Sequence, residues 1–114
     1  MTYIDIANMV EEIGLPCAYY AFKSTLEGPP FVCWLLNSSN DFEADNENYQ
    51  KIERLHIELY TDDRDFETEA EVESVLKSHG IVWTSDGDYL EEERMYQRVW
   101  ETDVIITPIE AITT

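Results

Sequence analysis

Apolar positions along this chain fall into two helical stretches and five extended ones, separated by polar, glycine or proline breaks. Tyr3, Ile6, Ala7, Val10 and Ile13 recur at the spacing of one helix face, behind a Thr2/Asp5 pair that has the form of a capping box. Gly14 offers a left-handed stop and Pro16 blocks continuation, so a first helix is expected over residues 2–13. Residues 17–22, short and aromatic, read as a strand that leads into a turn over residues 23–30. Residues 31–36 are apolar at six successive positions, the pattern of a strand buried on both faces. Two helices in so short a chain do not cover both sides of a sheet, so the second cover is expected from a partner subunit.

Residues 37–48 are polar, with Phe42 as their one large apolar side chain, and read as an extended loop. Period two returns over residues 49–61, placing Leu55, Ile57 and Leu59 on one face and Arg54, His56, Glu58 and Tyr60 on the other. Thr61 or Asp62 is then expected to cap a second helix, with Val72, Val75, Leu76 and His79 as its stripe, Phe66 anchoring its first turn and Gly80 ending it. Residues 81–84 read as a short strand and Ser85-Asp86-Gly87-Asp88 as a turn. Residues 94–106 form the last strand, with Tyr96, Trp100, Val104 and Ile106 facing one way and Met95, Val99 and Ile105 the other. The expected fold is α+β, a mainly antiparallel sheet with two helices packed on one side, in the order α-β-β-β-α-β-β. One domain over residues 1–106 and a loose tail over 107–114 account for the chain.

Charge alters this picture more than composition does. The 25 Asp and Glu residues against 7 Lys and Arg leave a formal net charge of −18, which disfavours grip on nucleic-acid phosphates and on anionic membranes. No run of 18 apolar residues is present, so no bilayer-spanning helix is expected, and a start without basic residues points to synthesis in the cytoplasm. Cys17 and Cys33 sit in apolar stretches and read as buried small hydrophobes; a disulfide between them needs their two strands to pair side by side.

The acids gather in three clusters: Asp41, Glu43, Asp45 and Glu47; a run from Asp62 to Glu73; and Asp86, Asp88, Glu91, Glu92 and Glu93. The first has the alternate spacing of a calcium loop, but Asn46 stands where that loop needs glycine and Ile52 where it needs the bidentate glutamate, so a solvated loop is the better reading. In the second, Asp62, Asp63 and Asp65 suit a helix N-terminus, while Glu67 and Glu71 repel each other across one turn and fit a surface where negative potential is useful. Neither a glycine-rich phosphate loop nor a metal-spaced Cys/His set occurs, and no Ser or Cys sits in a strand-turn-helix elbow. Neither catalysis nor a cofactor is therefore expected.

Gly14-Leu15-Pro16, Pro29-Pro30-Phe31, Ala44-Asp45-Asn46, Tyr49, Ile57-Glu58-Leu59-Tyr60-Thr61 and Glu93-Arg94-Met95-Tyr96-Gln97 together resemble the small tail-terminator or tail-to-head joining proteins of long-tailed phages and prophages of Gram-positive bacteria. The resemblance spans residues 1–106. It implies a ring of identical subunits, a hexamer, in the virion tail, ending tail-tube polymerisation, meeting tail-tube and head-connector proteins, and letting DNA pass without specific binding. On that reading Asp41, Phe42, Glu43, Asp45 and Glu47 are candidate lumen or interface residues, and Trp34 a candidate contact from the doubly apolar strand. Two rivals stand beside it: an acidic inhibitor that imitates DNA, and a small adaptor for a host protein that uses Phe42 or the Pro29-Pro30-Phe31 turn.

Overall fold

The computed structural model describes residues 1–22, 28–37 and 51–106. Its elements run α1 (Tyr3–Glu11), β1 (Cys17–Tyr19), β2 (Phe31–Asn37), β3 (Lys51–Thr61), α2 (Phe66–Ser78), β4 (Thr84–Leu90) and β5 (Met95–Ile106), the expected order. They form a single sheet in the order β1-β2-β3-β5-β4, antiparallel throughout except for the parallel β1–β2 pair. The fold is α+β. The loop expected over residues 37–48 has only Asn37 within the described residues, as the last residue of β2, and the tail expected over 107–114 lies outside them.

Local chemistry accounts for the helix ends. The hydroxyl of Thr2 accepts from the Asp5 amide while the Asp5 carboxylate accepts from the Thr2 amide, so a reciprocal capping box satisfies two of the backbone donors at the start of α1. At α2 the cap is Asp65, whose side chain accepts from both the amide and the hydroxyl of Thr68, and not Thr61 or Asp62. The ladder between β3 and β5 continues to the Thr61–Tyr96 pair, which keeps Thr61 extended, and residues 62–64 are needed to turn the chain.

Period two decides which side chains meet the helices. Val32 and Trp34 of β2, Leu55, Ile57 and Leu59 of β3, and Trp100, Val104 and Ile106 of β5 share one face of the sheet. There they form one core with Ile6, Met9, Val10 and Ile13 of the α1 segment and Val72 and Leu76 of α2. Burying a side chain of this size contributes roughly 1.5–3 kcal/mol, so this layer is the main source of stability. Met9 belongs to that core although helical spacing alone did not single it out, whereas Tyr3 sits at the rim.

Three expectations fail in the same part of the chain. Phe66 is 67% exposed and does not reach the core; the core under α2 begins at Val72, and the position one turn before it is held by the buried Glu69. Residues 81–83 are not a strand, and Ser85-Asp86-Gly87-Asp88 is not a turn but the middle of β4, paired with residues 97–100 of β5. The reversal falls instead at Glu91, Glu92, Glu93 and Arg94, where Arg94 adopts a φ of 56°.

Candidate functional site

Both helices cover the same face, so the opposite one, carrying Phe31, Cys33, Leu35, His56, Tyr60, Val99 and Ile105, has no helix over it among the described residues. Its character changes along the strands. Around the middle of β3 it is polar: Arg54 pairs with Glu101 and with Asp103 at 3.5 and 3.2 Å, and His56 Nε2 lies 3.2 Å from the Asn37 amide nitrogen. Toward the end where β2 begins it becomes aromatic. Phe31 stacks on Tyr60 with ring centroids 4.8 Å apart, and Phe22 meets Phe31 edge to face at 5.5 Å.

The chain reaches that cluster because it leaves β1 at Tyr20, whose φ of 70° turns it onto the helix-free face. The resulting cleft, about 440 Å³, is lined by Tyr20, Phe22, Phe31, Tyr60 and Met95 together with Cys33. The Tyr60 hydroxyl accepts from Gln97 and donates to Glu58 at 2.9 Å. Burial, reinforced by the Glu58 carboxylate, holds its ionisation well above the usual tyrosine range.

A second cleft of about 530 Å³ adjoins the first and shares Pro29 with it. Its walls are Pro30, the β3–α2 connection with Asp62, Asp63, Arg64 and Asp65, and the first turn of α2. Arg64 is already committed: its guanidinium meets the Glu69 carboxylate at 3.3 Å through two nitrogens and lies 4.5 Å over the Phe66 ring. Glu69, 5% exposed, also has Arg98 Nε at 3.7 Å. Asp65 is spent on the helix cap, and its hydrogen bonds to Thr68 hold its carboxyl below the usual range. Asp62 and Asp63 have no hydrogen-bond or ion-pair partner among the described residues. Register brings the β4–β5 turn, with Glu91, Glu92 and Glu93, to the same end of the sheet, since Thr61 pairs with Tyr96.

The residues singled out from sequence fare unevenly. Trp34 is not an outward contact: it is 8% exposed, lies on the helix side and meets Tyr19 edge to face at 4.8 Å. Alternation puts Phe31, Cys33 and Leu35 on the free face instead, a choice that six consecutive apolar residues cannot reveal. Asp41, Phe42, Glu43, Asp45 and Glu47 lie outside the described residues. Of the α2 acids, Glu67 and Glu71 are exposed as expected, but Glu69 is buried under two arginines and Glu73 accepts the Trp100 indole N–H at 2.9 Å. His79 caps the C-terminal end of α2 and pairs with Glu12 at 2.9 Å.

The cysteines illustrate how register decides chemistry. Their strands do pair, but Cys17 stands opposite Val32 and Cys33 opposite Ala18, so the two thiols point to opposite faces and both are free. Burial raises the ionisation of each above the ordinary thiol value. No group of three or more His, Cys, Asp or Glu side chains among the described residues is placed to hold a metal ion, and no helix among them is long and apolar enough to cross a membrane. Sequence reasoning noticed the Pro29-Pro30-Phe31 turn but missed Tyr20, Phe22 and Met95 as its companions, because only the turn at Tyr20 brings them together. No protein-family model, curated protein or solved structure matches the chain.

Proposed function

We propose that this chain is a structural subunit of a phage tail, a tail-terminator or head–tail joining protein that closes into a ring and lets DNA pass. The one-sided sheet carries this reading. Five strands present one face to two helices, and the other face keeps Phe31, Leu35, Val99 and Ile105 without helical cover among the described residues, with Ile105 49% exposed. A ring covers such a face by a repeated head-to-tail contact between copies, each offering the same two surfaces. Glu67 and Glu71, exposed on α2, suit a wall that DNA slides past, since carboxylates repel phosphates within the roughly 8 Å over which charge acts at physiological salt.

The DNA-mimic alternative is weaker on the same observations. Imitation of a phosphate row needs an unbroken line of free carboxylates, and Glu69 and Glu73 are used inside the molecule. Electron microscopy of particles from the encoding phage tests the proposal. Deleting the gene should give tails of unregulated length without heads, and Leu35→Asp supplied in trans should fold yet fail to restore them. Normal joined tails from the deletion would overturn the assignment.

A further inference from the structure

We propose that the aromatic cleft on the helix-free face receives the Ile81-Val82-Trp83 connection of a second copy of this chain, and that this contact, repeated head to tail, joins neighbouring subunits. The contact presupposes the ring reading and supplies its knob and its socket. The socket is the cleft of about 440 Å³ walled by Tyr20, Phe22, Phe31, Tyr60 and Met95, on the face that neither helix covers. An apolar anchor entering a pocket of that kind supplies most of the energy of an interface.

Val82 is the knob. At 85% exposed it is the most exposed large apolar side chain among the described residues. Single exposed apolar residues are common, but this one is held outward by its neighbours. Ile81 and Trp83 pack against the core on either side of it, the Ile81 amide donates to the Leu76 carbonyl at 3.0 Å, and the Val82 carbonyl accepts from the Thr102 hydroxyl at 2.7 Å. A branched side chain on a fixed backbone loses little freedom on binding. Knob and socket do not meet within one molecule, because the socket lies at Met95 and the knob beside Thr102, about 23 Å along β5. Their contact is therefore between copies and heterologous, each subunit giving one knob and taking one, as a closed ring requires.

Charge selects a second copy as the occupant, since both halves of a complementary contact stand on this chain. Two chains of net charge −18 repel unless their contact sets a cation against acids. Arg54, Arg64 and Arg98 are tied to carboxylates of their own molecule. Lys77 is exposed, has no ion-pair partner among the described residues, and lines a cleft of about 360 Å³ together with Ile81, Val82 and Trp83. Acids flank the socket on two sides, Asp62 and Asp63 beyond Pro29 and Glu91, Glu92 and Glu93 ahead of Met95. A knob that carries its own lysine meets them with opposite charge. Back-to-back packing of two helix-free faces has no such gain, because it sets a face carrying Glu58, Glu101 and Asp103 against itself.

Two full-length variants test the contact, each keeping one half of it. Val82→Asp spoils the knob, and Tyr20→Asp spoils the socket with a residue type that tolerates the left-handed backbone. Isotope-labelled Val82→Asp chain is titrated to millimolar concentration with unlabelled Tyr20→Asp chain while its amide shifts are followed. Residues 20–22, 31–33 and 95–96 should move. With the labels exchanged, residues 77–84 of the Tyr20→Asp chain should move instead, and neither variant alone should show these changes on concentration. Lys77→Glu added to the Tyr20→Asp chain should weaken binding about tenfold at low salt and by less at high salt. Absence of these perturbations at millimolar concentration, or equal binding with and without Lys77→Glu, overturns the proposal and leaves the cleft to a different protein. Sedimentation of the parent chain separates that failure from failure of the ring: a parent that still associates with concentration builds its ring on other surfaces, and only this contact falls.

Discussion

The ring of Tyr96 lies across Gly87, so that a Cβ built on the glycine would overlap the phenol oxygen and sit 2.8 Å from the ring carbon that bears it. Glycine inside a strand ordinarily costs stability, and replacing it with alanine ordinarily gains some. Here the sign is reversed, because the added methyl would have to displace an aromatic ring packed over the β4–β5 ladder. Gly87→Ala is expected to destabilise by about 1–3 kcal/mol, the usual range for overpacking. Urea unfolding should show this loss, and Gly87→Ala combined with Tyr96→Ala should lose less than the two changes added separately.

That pair also explains why this region misread from sequence. Ser85-Asp86-Gly87-Asp88 has the composition of a turn, and nothing local discloses that a tyrosine nine residues later needs the missing side chain. Where the signal is local, sequence sufficed: the Thr2/Asp5 box, the stops at Gly14 and Gly80, and the alternation of Leu55, Ile57 and Leu59 all stand in the structure. The signal is weak where several residues are equally competent, as with Asp62, Asp63 and Asp65 at one helix start; the length of the β3–β5 ladder decides among them. The clefts depend on contacts between residues far apart in the chain, Phe22 with Phe31 and Phe31 with Tyr60, which no periodicity encodes.

Glu69 tests the arginine clamp. Its carboxylate is buried between Arg64 and Arg98, so Glu69→Ala leaves two guanidinium groups without their partner. A hydrogen bond to a charged group is worth roughly 1.5–3 kcal/mol, and a loss of about that size is expected in denaturant unfolding. Glu71→Ala, on the exposed face of the same helix, should stay within about 0.5 kcal/mol of the parent. Equal losses at the two positions would mean that the clamp adds nothing of its own, since Glu→Ala costs no helix propensity.

Acid should act through the cap of α2. The hydrogen bonds from Thr68 hold the Asp65 carboxyl below its ordinary value, so the folded state binds its proton less tightly than the unfolded chain does. Stability from this group is therefore fully present above the unfolded carboxyl value of about 4 and is lost as pH falls through the lower folded value. Asp65→Ala removes the dependence along with the cap. The stability difference between parent and variant should shrink steadily below about pH 4, as followed by helical circular dichroism in urea.

Tyr60 should respond at the other end of the pH scale. Its hydroxyl is half-buried on the helix-free face, donates to Glu58 and accepts from Gln97, and both burial and the adjacent carboxylate oppose the phenolate. The folded state thus holds the Tyr60 proton more tightly than the unfolded chain, whose tyrosines ionise near 10. Its contribution is complete below that value and is lost as pH rises above it toward the raised folded value. In an ultraviolet titration of tyrosine ionisation, Tyr60 should stay neutral above the pH at which an unfolded tyrosine ionises. Tyr60→Phe should remove that delayed step and flatten the alkaline fall in stability, while costing roughly 0.5–1.5 kcal/mol at neutral pH for the broken hydrogen bonds. A titration in which Tyr60→Phe removes only a step near 10, with the fold intact, would show that the Glu58–Tyr60–Gln97 chain does not hold the proton.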